Sequence, residues 1–260
     1  MVNDPDVSRC LRAIRERSAA ISGVVRPLTA EQWQGESNCP PWRVADLASH
    51  TVTSGQGFAR SIRRGLEGTV EPAPASAHPL VDTPTEVADG LALVTDEFES
   101  LYADLSDAQL ETVCFHRRGN RSVRWYAAHR LAELAFHAWD LDVSLGRRAA
   151  MSDEVAALLL PTLLESNVPR TYAAGLSAER GAGERYLLGV AGDASARWLV
   201  VITPEALEVV RGGDSRPDLS ITADAATLAL LVYGRADLGE AQLHGSPEFV
   251  ERFRKTFPRP

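Results

Sequence analysis

Val7, Leu11, Ile14 and Ile21 recur at helical intervals along residues 4–26, with arginines on the other side, so the spacing predicts an amphipathic helix. Pro27 ends it, and Leu28 to Trp33 read as a short helical turn. After a polar loop from Gly35 to Asn38, Cys39-Pro40-Pro41 reads as a helix start, because proline in a first turn gives up no useful donor. A second helix is predicted from about Trp42 to Leu66, through Val44, Leu47, Val52 and Ile62. Gly55 and Gly57 near its middle mark a close approach or a kink. A Pro/Ala-rich connection over 67–83 is longer than most helix–helix loops.

Thr83-Pro84-Thr85-Glu86 is a cap-like opening for a third helix running to about Leu105, striped by Leu91, Val94, Phe98, Leu101 and Leu105. Ser106 to Leu110 add a turn. The polar loop His116-Arg-Arg-Gly-Asn-Arg121 precedes a fourth helix, about Val123 to Leu145, with Gly146 as its C-cap. A fifth, about Ser152 to Asn167, leads out of the bundle. The pattern changes after Thr171: a Gly/Ser/Ala-rich linker or loop (Gly175 to Glu184) precedes strand-like runs at 185–190, 197–203, 206–211 and 218–222. Helical spacing returns over 223–233 and 247–257. The expectation is a helical bundle over 1–170 and a smaller α+β domain over 180–260, divided somewhere between 168 and 184, with no internal repeat.

Composition adds exclusions. A net charge of −8 argues against a nucleic-acid partner, since neither Arg60 to Arg64 nor Arg117 to Arg121 makes a sufficient basic patch. The basic residues are one lysine, Lys255, and 26 arginines, a usage that points to a high-GC genome. Three separated cysteines, Cys10, Cys39 and Cys114, do not form a disulfide framework. No apolar run reaches the roughly 18 residues of a membrane span, and charges stand where a signal peptide needs an apolar stretch. These point to a soluble protein of the reducing cytoplasm with no membrane partner, and leave the oligomeric state open.

The chemistry lies on the second and fourth helices. Glu133 and His137 stand four residues apart, on one helix face, and can close on a single divalent metal. His50 is the candidate third donor, because central inward positions of bundle helices converge. Two histidines and one carboxylate leave coordination positions open, as in catalytic sites. Taken singly, each has a plainer reading: Glu-x-x-x-His is common in helices, and a lone histidine is usually packed or on the surface. Asp46, four before His50, and Asp140, three after His137, could each hold the second ring nitrogen of a ligand histidine. His129, four before Glu133, could face a substrate, act as a general base or simply pack. Trp42, Trp125 and Trp139 read as core, with one of them a possible pocket wall; Cys39 reads as a helix-start residue and no cysteine site is expected.

The segments Cys-Pro-Pro-Trp-Arg-Val-Ala-Asp-Leu-Ala-Ser-His (39–50) and Arg-Leu-Ala-Glu-Leu-Ala-Phe-His-Ala-Trp-Asp-Leu (130–141) resemble two signature segments of the mycothiol-dependent maleylpyruvate isomerase family. Their forms are W-x-V-x-D-L-x-x-H and E-x-x-x-H-x-x-D. The resemblance covers about 4–165 well and the rest more loosely. It implies a DinB-like four-helix bundle with zinc ligands at His50, Glu133 and His137, followed by a sterol-carrier-like α+β domain. It also implies an enzyme using mycothiol, a small-molecule thiol, and an electrophilic substrate; the thiolate adds, and the reaction is an isomerisation or an S-transfer. Leu230-Leu-Val-Tyr-Gly-Arg235 is similar to the helix in that domain ending in Gly-Arg, which implies Arg235, with Arg211 as runner-up, as the arginine that holds a substrate carboxylate. Two alternatives stand beside this: a non-catalytic metal- or ligand-binding regulatory protein on the same bundle, and a DinB-like hydrolase or a transferase of another thiol.

Overall fold

The computed structural model describes residues 6–73, 82–213 and 216–258. Residues 4 and 5 of the first expected helix, and 74–81 of the expected Pro/Ala-rich connection, lie outside the described residues. The chain forms two compact units, Met1–Met151 and Ser152–Pro260.

The first unit is helical. α1 (Val7–Val25) is capped by Asp6, whose carboxylate accepts the Arg9 N–H at 3.0 Å, and buries Cys10, Ile14, Ile21 and Val25 along one face. α2 (Ala30–Gln34) is a short turn capped by Thr29. α3 (Val44–Leu66) begins after the expected start at the two prolines. Its first turn is closed where Asp46 Oδ2 accepts the Arg43 N–H at 2.9 Å, which leaves Pro40 and Pro41 in the preceding turn. α4 (Pro84–Tyr102) opens on the reciprocal Thr83–Glu86 box that the sequence announces. After α5 (Asp107–Leu110), a hairpin of two-residue strands, β1 (Val113–Cys114) and β2 (Arg121–Ser122), leads into α6 (Val123–Ser144).

α1 packs on α4 and α6, and α3 packs on the same two helices, so the bundle closes in the order α1–α4–α3–α6. That differs from a simple up-and-down series, where α1 and α3 would be neighbours. The long connections at 26–43 and 103–122 let the chain cross the diagonal instead. α3 and α6, which carry the candidate donors, end up adjacent. Along α6, every residue from Val123 to Phe136 except Arg124 and Glu133 is buried, so even its polar residues Arg130 and His129 are enclosed.

The hairpin leans on α3 through Gly65. A Cβ there would fall 3.1 Å from Cys114 Cβ and 3.2 Å from its Cα, closer than carbon atoms normally pack against backbone. Gly65→Ala is therefore expected to lower stability by about 1–3 kcal/mol from overpacking, less the roughly 1 kcal/mol by which alanine favours a helix. A thermal melt of the variant checks it, and an unchanged or raised midpoint would show that the hairpin yields freely.

The second unit opens with α7 (Asp153–Thr162), a π-helical turn (Leu163–Asn167) and α8 (Val168–Ala173). α7 packs on α9 and α8 on β5, so this segment belongs with the sheet, and the chain divides at Met151/Ser152, earlier than the composition change after Thr171 suggests. The sheet is β3 (Glu184–Val190), β4 (Asp193–Ile202), β5 (Leu207–Arg211), β6 (Leu219–Ala223) and β7 (Gln242–Gly245), in the order β5-β4-β3-β6-β7. β3 and β6 run parallel and the other pairs antiparallel. α9 (Ala225–Val232) and α10 (Pro247–Thr256) complete it. The stretch expected as a linker or loop, 175–184, is a loop up to the start of β3 and is tied into this unit: the Gly181 N–H donates to Tyr172 Oη at 2.9 Å, and the Arg180 guanidinium lies 4.7 Å from the Tyr172 ring centre.

Candidate metal centre

His50 lies on α3, and Glu133 and His137 lie one turn apart on α6. His50 Nε2 is 3.1 Å from Glu133 Oε2, and His137 Nε2 is 3.7 Å from that same oxygen. The two imidazoles stand edge to face, 5.1 Å between centres, and all three donors fall within 4.8 Å of one another. Tetrahedral bonds of about 2.0–2.1 Å set neighbouring donors roughly 3.3 Å apart, so this spacing fits a single divalent ion. Two nitrogens and one carboxylate oxygen also suit zinc chemically.

The charges point the same way. Burial works against an ionised Glu133, yet hydrogen bonds with His137 and His50 outweigh it and hold the carboxyl well below the usual range. Burial likewise works against a charged His137, but its bonds to Asp140, Cys39 and Glu133 raise it well above an ordinary imidazole. Without a metal, Glu133 is an enclosed anion partnered by a protonated His137, and a divalent cation would take the place of that proton.

Asp140 is completely buried and braces this arrangement. Its Oδ2 accepts His137 Nδ1–H at 3.3 Å and the Cys39 thiol at 3.2 Å, while Oδ1 accepts the Asn38 amide at 3.1 Å. With Nδ1 donating to the carboxylate, the lone pair of a neutral His137 sits on Nε2, toward Glu133. Asp46 does different work. It is exposed, and its carboxylate caps the start of α3, because a position four before His50 falls in the first turn, where the Arg43 N–H needs an acceptor. Cys39, read from the sequence as a helix-start residue, is instead part of the Asp140 bracing. The 101 residues separating the two hid that contact.

The donors open on a cavity of about 550 Å³. Trp42 forms one wall, its ring 4.8 Å from His50 and 6.3 Å from His137. His129 lies on the wall too, stacked on Trp125 at 4.2 Å, with Nε2 3.8 Å from Glu133 Oε1. His116, from the β1–β2 loop, meets His129 edge-on at 5.6 Å. Sequence reasoning passed over His116 because it sits in a short polar loop with no periodicity. Of the chain's six histidines, four line this cavity, a convergence that only the fold brings out.

Arg130 fixes the two donor helices against each other. It is fully buried, and its Nη1 donates to the Thr51 carbonyl at 2.6 Å, next to His50 in the chain. Burial lowers its pKa to about 10, so it remains charged at neutral pH. Gly55 makes the room: a Cβ there would lie 2.8 Å from Arg130 Cζ.

Within the second unit, Arg235 follows Gly234 (φ +70°) at the end of α9, and its Nη1 donates to the Tyr233 carbonyl at 3.0 Å. Arg211 is engaged by that unit's own framework. Its Nε donates to Glu165 Oε1 at 2.8 Å, an oxygen that also accepts Trp198 Nε1–H at 2.7 Å.

Fold and site together define a helical-bundle protein with a two-histidine, one-carboxylate donor set open to a cavity. The chain belongs to the family described as the mycothiol maleylpyruvate isomerase N-terminal domain, whose model matches residues 13–142, the span holding all three donors. Crystal structures of the mycothiol-dependent maleylpyruvate isomerase and of a histidine-to-alanine mutant of it each match with a TM-score of 0.62. Each match covers 91% of this chain and 92% of the other, at 13% identity, so the likeness is one of fold. No curated protein matches the chain. Among the described residues, no helix is long and apolar enough to cross a membrane.

Proposed function

We propose that this protein is a metal-dependent enzyme that uses mycothiol, adding the thiolate to an electrophilic carbon, and that His50, Glu133 and His137 hold the metal, zinc by their donor chemistry. The carrying observation is that donors from two helices meet at a cavity of about 550 Å³, large enough for a small thiol and its acceptor. Bound there, the metal would favour the thiolate form of a coordinating thiol. The chain's own residues do the rest. Asp140 holds His137 in the tautomer that offers Nε2, and Trp42 shields the histidines from bulk water. His129, beside Glu133 on the cavity wall, is placed to take or return the proton that the thiol loses and the adduct regains. Arg235 has the role the resemblance implies, binding a substrate carboxylate.

Isomerisation and S-transfer share the addition step. They part afterwards: in one, bond rotation precedes expulsion of the thiol, and in the other the thiol stays attached. The test incubates the purified, zinc-loaded protein with mycothiol and a panel of activated alkenes including maleylpyruvate, followed by mass spectrometry and chromatography. Isomerised product or a stable thioether at rates above the protein-free control is expected. Turnover indifferent to mycothiol, or absent with every electrophile, would sink the reading.

A further inference from the structure

The end of the cavity formed by the β1–β2 loop has no part in the metal centre, yet its construction is specific. Cys114, the last residue of β1, is packed against Gly65 of α3, and the Tyr126 hydroxyl on α6 donates to the carbonyl of Phe115, which follows it, so the start of the loop is anchored to both helices. The turn closes where the Gly119 N–H (φ +101°) donates to the His116 carbonyl at 2.9 Å. The Arg118 N–H donates to His116 Nδ1 at 3.2 Å, which places the proton of a neutral His116 on Nε2. His116 is only 8% exposed and is braced edge-on by Trp125 at 5.2 Å.

Between these fixed points, Arg117 lines the cavity. Its guanidinium has no ion pair or hydrogen bond to any described residue, whereas Arg124, at the base of the hairpin, is paired with Glu111 at 2.6 Å and Asp107 at 3.6 Å. Among the described residues lining the cavity, Glu133 is the one carboxylate, and it is turned to the two histidines. A divalent ion, the Glu133 carboxylate and a thiolate would sum to no net charge. Arg117 would then be the uncompensated charge facing the remaining space.

We propose that Arg117, with His116 beside it, forms an anion-binding end of this cavity within the bundle unit, and that its ligand is a carboxylate on the electrophile. The guanidinium supplies a planar pair of N–H donors matched to a carboxylate. The site distinguishes charged from neutral acceptors of the same shape. Naming the ligand as the electrophile's carboxylate rests on the enzyme reading above; the anion site itself stands on the loop.

The test therefore measures binding without turnover. Succinate, an unreactive dicarboxylate, and succinamide, its neutral isostere, are titrated by calorimetry into the full-length zinc-loaded protein and into Arg117→Gln and Arg117→Lys. Arg117 is exposed, so both variants should fold, and a melt verifies it. The wild type is expected to prefer succinate, and Arg117→Gln to lower the succinate-to-succinamide preference at least tenfold, with Arg117→Lys recovering part of it. The proposal is overturned if the wild type shows no preference, or if Arg117→Gln keeps it. A mycothiol assay in parallel separates the two ideas: succinate preference without thiol turnover retains the anion site and rejects the enzyme.

Discussion

Replacing Glu133 with glutamine is expected to take bound zinc from about one per chain to nearly none. The amide has almost the same shape, so the change removes charge and leaves volume intact. That charge is what the two imidazoles converge on: Glu133 Oε2 lies 3.1 Å from His50 Nε2 and 3.7 Å from His137 Nε2. Two neutral imidazoles alone make a poor site for a divalent ion. Loss of a mere supporting partner costs roughly 10–100-fold in metal affinity, so loss of the anionic ligand should exceed that. Elemental analysis and competition with a chromophoric chelator give the numbers. Glu133 is 24% exposed at its side chain and lies on the cavity wall, so folding should survive. A folded Glu133→Gln protein with wild-type zinc content would mean that these three side chains do not share an ion.

The closeness of Glu133 and His137 was legible because helix geometry makes a four-residue interval a contact: the two had to share a face once 123–144 was recognised as helix. The caps were legible for the same reason, as Thr83 and Glu86 signal each other over three residues. Asp46 shows where spacing misleads. It stands at the same four-residue interval from His50, but it falls in the first turn of α3, where an unpaired backbone N–H takes its carboxylate. The loop end of the cavity was out of reach for another reason. Two-residue strands at 113–114 and 121–122 leave no alternation to read, so nothing in the pattern lifts His116 and Arg117 onto the cavity wall. The bundle's ring order was equally hidden, since which helices become neighbours depends on how the connections cross. The edge strand β7 is short and largely exposed, and a polar Gln-Leu-His-Gly run does not read as a strand.

Asp140→Asn is expected to weaken zinc binding by about 10–100-fold while Glu133 and both histidines remain in place. The carboxylate accepts from three sides: the Asn38 amide at one oxygen, and the Cys39 thiol and His137 Nδ1–H at the other. An amide has one acceptor oxygen, so in either orientation its NH2 faces a donor in a fully buried position. Removing one member of such a buried pair also costs stability, on the order of 3 kcal/mol. The two effects can be told apart. Cys39→Ala removes a single weak donor and leaves the carboxylate anionic, so it should cost far less zinc affinity than Asp140→Asn. A chelator titration of the folded Asn variant, below its melting transition, isolates the ligand effect. If that titration matches wild type while the melt drops, Asp140 serves only to dock the 35–39 loop onto α6. If affinity falls with the fold intact, the orientation of His137 is what the buried carboxylate supplies, and the metal centre extends from α3 and α6 into the loop that precedes them.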